Sequence, residues 1–237
     1  MKIMSALLSS ALLVAAPATA QQTAPRADQL AFRDLYKELV ETDTTLSAGS
    51  CTLAAERMAA RLKTAGFGDD QLTLFADPDH PKEGGLVAVY PGTSKTAKPI
   101  LLIAHIDVVE AKRADWERDP FTLIEERDFF FGRGTIDNKG GIAQLTSTFL
   151  ALRAEAFVPT RDLIIWFSGD EETSGATTEA LLANHRDLLG NAEYALNSDA
   201  GGGQLDGNNR GVAYVVQTAE KTYASFTFTA RNPGGHS

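Results

Sequence analysis

"PILLIAHID", residues 99–107, decides the fold. Pro99 introduces an unbroken apolar run, Ile100 to Ala104, which then gives way to His105, Ile106 and Asp107. A run of this kind fits a strand buried on both faces, as in a parallel sheet covered by helices. Its polar end matters equally, because sites in open α/β sheets form beyond the carboxyl ends of strands. The pattern recurs. Leu163 to Phe167 leads into Asp170, Glu171 and Glu172, and Tyr194-Ala195-Leu196 leads into Asp199. Phe129-Phe130-Phe131 precedes a glycine-bracketed turn that ends in Asp137. Another strand is expected at Leu86 to Tyr90, opened by Gly84-Gly85 and closed by Pro91-Gly92.

Between these runs the period changes to that of helices. Leu30, Phe32, Leu35, Leu39 and Val40 recur at helical spacing, as do Leu53, Met58 and Leu62, with Gly66 as the stop. Further helices are expected at about 141–156 and 177–189. Strands alternating with helices predict an α/β fold with a mostly parallel sheet flanked by helices. After Gly211 the texture shifts to successive strands, Val212 to Val216 and Tyr223 to Ala230. These read as the start of a second, inserted α+β domain.

Residues 1–20 stand apart. Lys2, a short apolar stretch from Ala6 to Ala16 and a closing Ala18-Thr19-Ala20 form a secretory signal peptide, too short for a membrane span. The expected organisation is therefore a signal peptide at 1–20, a catalytic domain at 21–217 and the start of a dimerisation or lid domain at 218–237. The chain ends directly after "NPGGHS" and is read as a C-terminally truncated fragment. Export with a single cysteine, Cys51, suits a bacterial periplasm, and Cys51 reads as a buried thiol. The net charge of −9 excludes an ordinary nucleic-acid binder.

His105, Asp137, Glu172 and Asp199 are residue types that zinc accepts, and all lie just past expected strands. His105 alone would read as a satisfied core histidine. Asp107, two residues on and on the same face, could instead hold its spare ring N–H and fix the tautomer. Gly132 to Gly140 lacks the dinucleotide fingerprint, because Asp137 occupies the third glycine's place. Asp137 could also simply cap the helix that follows. His80 and His185 match no motif and read as structural or solvated.

In order along the chain, "IAHIDVV", "WERDPF", "FGRGTIDNKGG", "SGDEETSG" and "NSDAGGG" resemble the zinc-dependent metallopeptidases that include aminoacylase, carboxypeptidase G and succinyl-diaminopimelate desuccinylase. The resemblance runs from about residue 29 to the end. It implies two Zn2+ ions per subunit, with Co2+ or Mn2+ able to take the same ligands. His105 and Asp199 would hold the first ion, Asp137 would bridge both, and Glu172 would hold the second. Glu171 would be the general base and Asp107 the acid that orients His105. His236 would reach the oxyanion across a homodimer formed through the lid domain. The Asp137–Asn138 peptide would be cis. The second ion's histidine ligand would lie beyond Ser237, so this polypeptide alone is expected to bind that ion weakly and to be inactive.

The activity so implied is an exported hydrolase cutting a peptide or N-acyl amide bond beside a free carboxylate: a carboxypeptidase, dipeptidase or acyl-amino-acid hydrolase. Its substrates would be small peptides or N-acyl amino acids. A competing reading is a non-catalytic metal-binding or dimerisation relative. Glu171 speaks against it, since a residue that is not a ligand has no purpose in metal binding alone. A nucleotide-binding α/β protein is weaker still, for want of a phosphate loop.

Overall fold

The structure is a computed structural model that describes residues 24–127, 129–199, 202–208, 210–219, 222 and 224–235. The expected signal peptide, Tyr223 and His236 lie outside the described residues. The elements in chain order are α1 (Ala27–Val40), α2 (Cys51–Thr64), β1 (Leu72–Asp77), β2 (His80–Tyr90), β3 (Ile100–His105), β4 (Ile124–Glu126), β5 (Phe129–Phe131), α3 (Lys139–Ala154), β6 (Leu163–Ser168), α4 (Ala176–Asn184), β7 (Tyr194–Asn197), β8 (Gly202–Leu205) and β9 (Gly211–Val215). Among the described residues no helix is long and apolar enough to cross a membrane.

One five-stranded sheet, ordered β1-β2-β6-β3-β7, forms the centre. It is mixed. β6, β3 and β7 run parallel, while β1-β2 and β2-β6 pair antiparallel. The antiparallel side arises because β1 and β2 are a hairpin joined by Pro78 and Asp79, too short a link for a crossover. β2 starts six residues earlier than the sequence pattern suggests. Pro81 is tolerated because β6 begins to pair with β2 only at Leu86, opposite Phe167.

Strand alternation sorts the core into two layers. Leu86, Ala88, Ala104, Ile165 and Phe167 face α1, α2 and α3, where they meet Leu35, Leu39, Met58, Leu62, Ile142 and Phe149. Val87, Leu101, Ile164 and Trp166 face the other way, against Leu181 of α4 and Leu189. This double coverage is why the runs at 100–104 and 163–167 are apolar at every position.

Two expectations change. β5 does not join the main sheet but pairs with β4 in a separate two-stranded ribbon. Asp137 therefore reaches the site from a turn before α3, not from a strand of the sheet. The strand expected at Tyr223 to Ala230 is absent over residues 224–230.

Candidate metal centre

The site is built at the carboxyl ends of three adjacent parallel strands. His105 is the last residue of β3 and is 2% exposed. Ser168 closes β6, and the turn after it carries Asp170, Glu171 and Glu172. β7 ends at Asn197, two residues before Asp199. Ser198 sets the position of Asp199. Its backbone N–H donates to Ile103 O at 3.0 Å, and its hydroxyl lies 3.2 Å from Asn138 Oδ1. The turn with Asp137 is held from behind by Lys139, whose ammonium donates to Thr42 O at 2.7 Å. The Asp137–Asn138 peptide is cis.

His105, Asp137 and Asp199 each offer one ligand atom, all within 4.8 Å of one another. His105 Nε2 lies 2.8 Å from Asp137 Oδ1 and 3.7 Å from Asp199 Oδ1. On the other side of the ring, Nδ1 lies 3.0 Å from Asp107 O and 3.4 Å from Asp107 Oδ1. A carbonyl oxygen only accepts, so Nδ1 carries the proton and the lone pair of Nε2 faces two carboxylates. That arrangement calls for a positive charge among the three groups. One imidazole nitrogen with two carboxylate oxygens is a donor set that fits zinc. The proton competes for the same place. Burial disfavours the imidazolium, but Asp107, Asp137 and Asp199 outweigh it and push His105 up to about 9.

Asp107 is 1% exposed and does two jobs. Its backbone carbonyl, rather than the carboxylate expected, bonds the His105 ring, Oδ1 accepts no hydrogen bond, and Oδ2 accepts from the Glu172 backbone N–H at 2.6 Å. The acidic loop is thereby tied to the histidine strand. Burial, then Asp137 and Glu171, push the Glu172 carboxyl up. The Glu171 carboxyl is also raised, by burial against the opposing pull of His105, with Asp199, Asp107 and Asp137 adding to the rise. A carboxylate made more basic by its surroundings is suited to taking up a proton. Asp170 has a different role. It is fully buried, and its side chain accepts from Thr178 N at 2.9 Å and Thr178 Oγ1 at 2.6 Å, which caps α4. Gly175, the residue at the helix N-cap, has φ +70° and no side chain to do this.

The constellation of His105, Asp107, Asp137 and Asp199, with the Glu171-Glu172 loop tied to it, raises the question of kinship. The family model described as peptidase family M20/M25/M40 matches residues 101–227. The chain belongs to that family. Among curated M20 relatives, the acetylornithine deacetylase of Dictyostelium discoideum is 40% identical over 105 residues, 42% of this chain and 24% of its own length. The N-fatty-acyl-amino acid synthase/hydrolase PM20D1 of Homo sapiens is 29% identical over 170 residues, 70% of this chain and 33% of its own length. The chain thus spans a third or less of the length of these curated relatives. The crystal structure of the M20 family metallo-carboxypeptidase Sso-CP2 from Sulfolobus solfataricus superposes with a TM-score of 0.62 at 20% identity, over 76% of this chain and 39% of that one. That likeness supports the fold.

Sequence reasoning missed several supporting residues. Lys139 is fully buried although lysine normally seeks water, and nothing local distinguishes it from a solvated residue at a helix start. Ser198 and Asn138 join two turns that are 60 residues apart. His80, read as structural or solvated, pairs through Nδ1 with Glu83 Oε2 at 2.6 Å. Cys51 is buried at the start of α2, donates to Thr44 O, and burial raises its thiol pKa.

Proposed function

We propose that the chain supplies the metal-binding half of an exported hydrolase that cleaves a peptide or N-acyl amide bond beside a free carboxylate. The observation that carries this reading is the convergence of His105, Asp137 and Asp199 beside the unligated Glu171. His105, Asp137 and Asp199 would hold one zinc ion, and Asp137 would share a second with Glu172. Zinc bound there would supply Lewis acidity to the scissile carbonyl and make nearby water easier to deprotonate. Glu171 takes the proton from the attacking water and delivers it to the leaving nitrogen. Asp107 keeps the His105 ring oriented and keeps the acidic loop beside it. The relatives' names, a deacetylase and an N-acyl-amino acid hydrolase, support an amide next to an amino-acid carboxylate. The first twenty residues support export, with a periplasmic setting as the natural compartment.

The test is Glu171→Gln in the full-length protein, assayed on dipeptides and N-acyl amino acids with zinc content measured in parallel. Turnover should fall by about 10²- to 10⁴-fold while bound zinc is unchanged. Undiminished hydrolysis by that variant would remove Glu171 from the chemistry.

A further inference from the structure

Glu83 lies outside the metal centre yet is 5% exposed, an unusual place for a carboxylate. It sits on β2 just before Gly84 and Gly85, facing the loop of the acidic residues. Its Oε1 accepts from the Thr173 hydroxyl at 2.9 Å, and its Oε2 lies 2.6 Å from His80 Nδ1. Thr173 is the residue directly after Glu172. The backbones also meet here: a Cβ at Gly169 would lie 2.3 Å from Gly84 O and 2.7 Å from Glu83 O. The stretch 83–84 is therefore pressed against the root of the acidic loop, and Glu83 reaches over to its far side.

The loop has only a few anchors. Asp107 holds the Glu172 N–H, and Asp170 holds the start of α4. Beyond Glu172 the Asp170 carbonyl also accepts from the Thr173 and Gly175 N–H groups, but these bonds stay within the loop, and Glu83 ties Thr173 to the sheet. Burying a further negative charge close to Glu172 costs free energy unless the group has partners and a purpose. The one hydrogen bond that the Glu83 carboxylate accepts comes from Thr173 on the loop itself, while Oε2 accepts none and has only the His80 ring beside it.

We propose that Glu83 is a positioning residue. Through Thr173 it holds Glu171 and Glu172 in the register that proton transfer and metal binding require. The inference rests on the functional reading above for the roles of those two glutamates.

Thr173→Val removes the hydroxyl on a half-buried residue, and Thr173→Ser keeps it. Glu83→Leu removes the acceptor. The experiment uses the full-length protein and three readouts: zinc affinity by calorimetric titration, kcat and KM separately, and hydrogen exchange of amides 171–174 without zinc. Thr173→Val and Glu83→Leu should weaken the weaker zinc equivalent and lower kcat by about 10- to 100-fold, with KM unchanged. Their loop amides should exchange about tenfold faster than in the parent protein. Thr173→Ser should match the parent in all three. Parent-like zinc affinity and exchange in Thr173→Val would overturn the proposal, as would Thr173→Ser behaving like Thr173→Val. If the parent protein hydrolyses amides and the tether variants do so equally well, the function stands and the role of Glu83 falls. If the parent hydrolyses none, the zinc and exchange arms still decide on Glu83.

Discussion

Lys139 shows what a single residue can cost and contribute. Its ammonium is buried beneath the turn that carries Asp137, with Thr42 O as acceptor and the Phe121 ring 5.6 Å away. Burial lowers its pKa from 10.5 to about 8, although Asp43 pulls the other way. Between these values the unfolded chain binds the proton and the folded chain does not, so stability rises with pH across this window. Below about pH 8 both states are charged and Lys139 adds no slope. In urea denaturation from pH 7.5 to 10.5, the wild type should gain on Lys139→Met by up to about 3 kcal/mol. A difference that stays flat with pH would mean that the ammonium is solvated in the native state. Neighbouring acids separate by the same logic. Asp170, Glu171 and Glu172 are consecutive, yet one caps a helix, one stays free with a raised pKa, and one has its N–H fixed by Asp107.

At the level of elements, the loop at 169–175 and α4 behave as one unit. Gly175 offers no side chain to the helix start, so the Thr178 N–H depends on Asp170, five residues before Gly175, while the Ala176 N–H donates to Ser174 Oγ. A carboxylate there also sits favourably against the positive end of the helix. Asp170→Ala leaves the Thr178 N–H and hydroxyl without their acceptor. The expected loss is about 2 kcal/mol in urea denaturation with an unchanged m-value, since the same core remains. Faster hydrogen exchange at Thr178 should locate the damage. An unchanged midpoint would show that water replaces the carboxylate at no cost. The cap lies outside the helix's own local sequence, with Asp170 six residues before Ala176.

For the molecule as a whole, the candidate metal centre joins three strand ends and the turn before α3, so a cation binding there would couple to global folding. A cation held by His105, Asp137 and Asp199 binds the native state and finds no such arrangement in the unfolded chain. Zinc at a hundredfold excess over its Kd should add about 2.7 kcal/mol of stability. For a chain of this size that raises Tm by roughly 5–10 °C. Thermal melts with zinc and after chelation measure the shift, and Asp199→Ala should reduce most of it. A Tm that ignores zinc in the parent protein would contradict the site.

The sequence by itself determined the layers and the candidates. Apolar runs at 100–104 and 163–167 can only be satisfied between two covering layers, and the polar residues that end them fall at the sheet's carboxyl edge because strand direction is fixed by chain direction. His105, Asp107, Asp199 and the two glutamates were legible for that reason. Tertiary structure alone decided the rest. The order β1-β2-β6-β3-β7 brings His105 beside Asp199, although 94 residues separate them. The supporting contacts, Lys139 to Thr42, Ser198 to Asn138 and Glu83 to Thr173, leave no periodic trace in the chain. A buried polar group is identified by what surrounds it in space, and sequence spacing carries information only about neighbours along a helix or a strand.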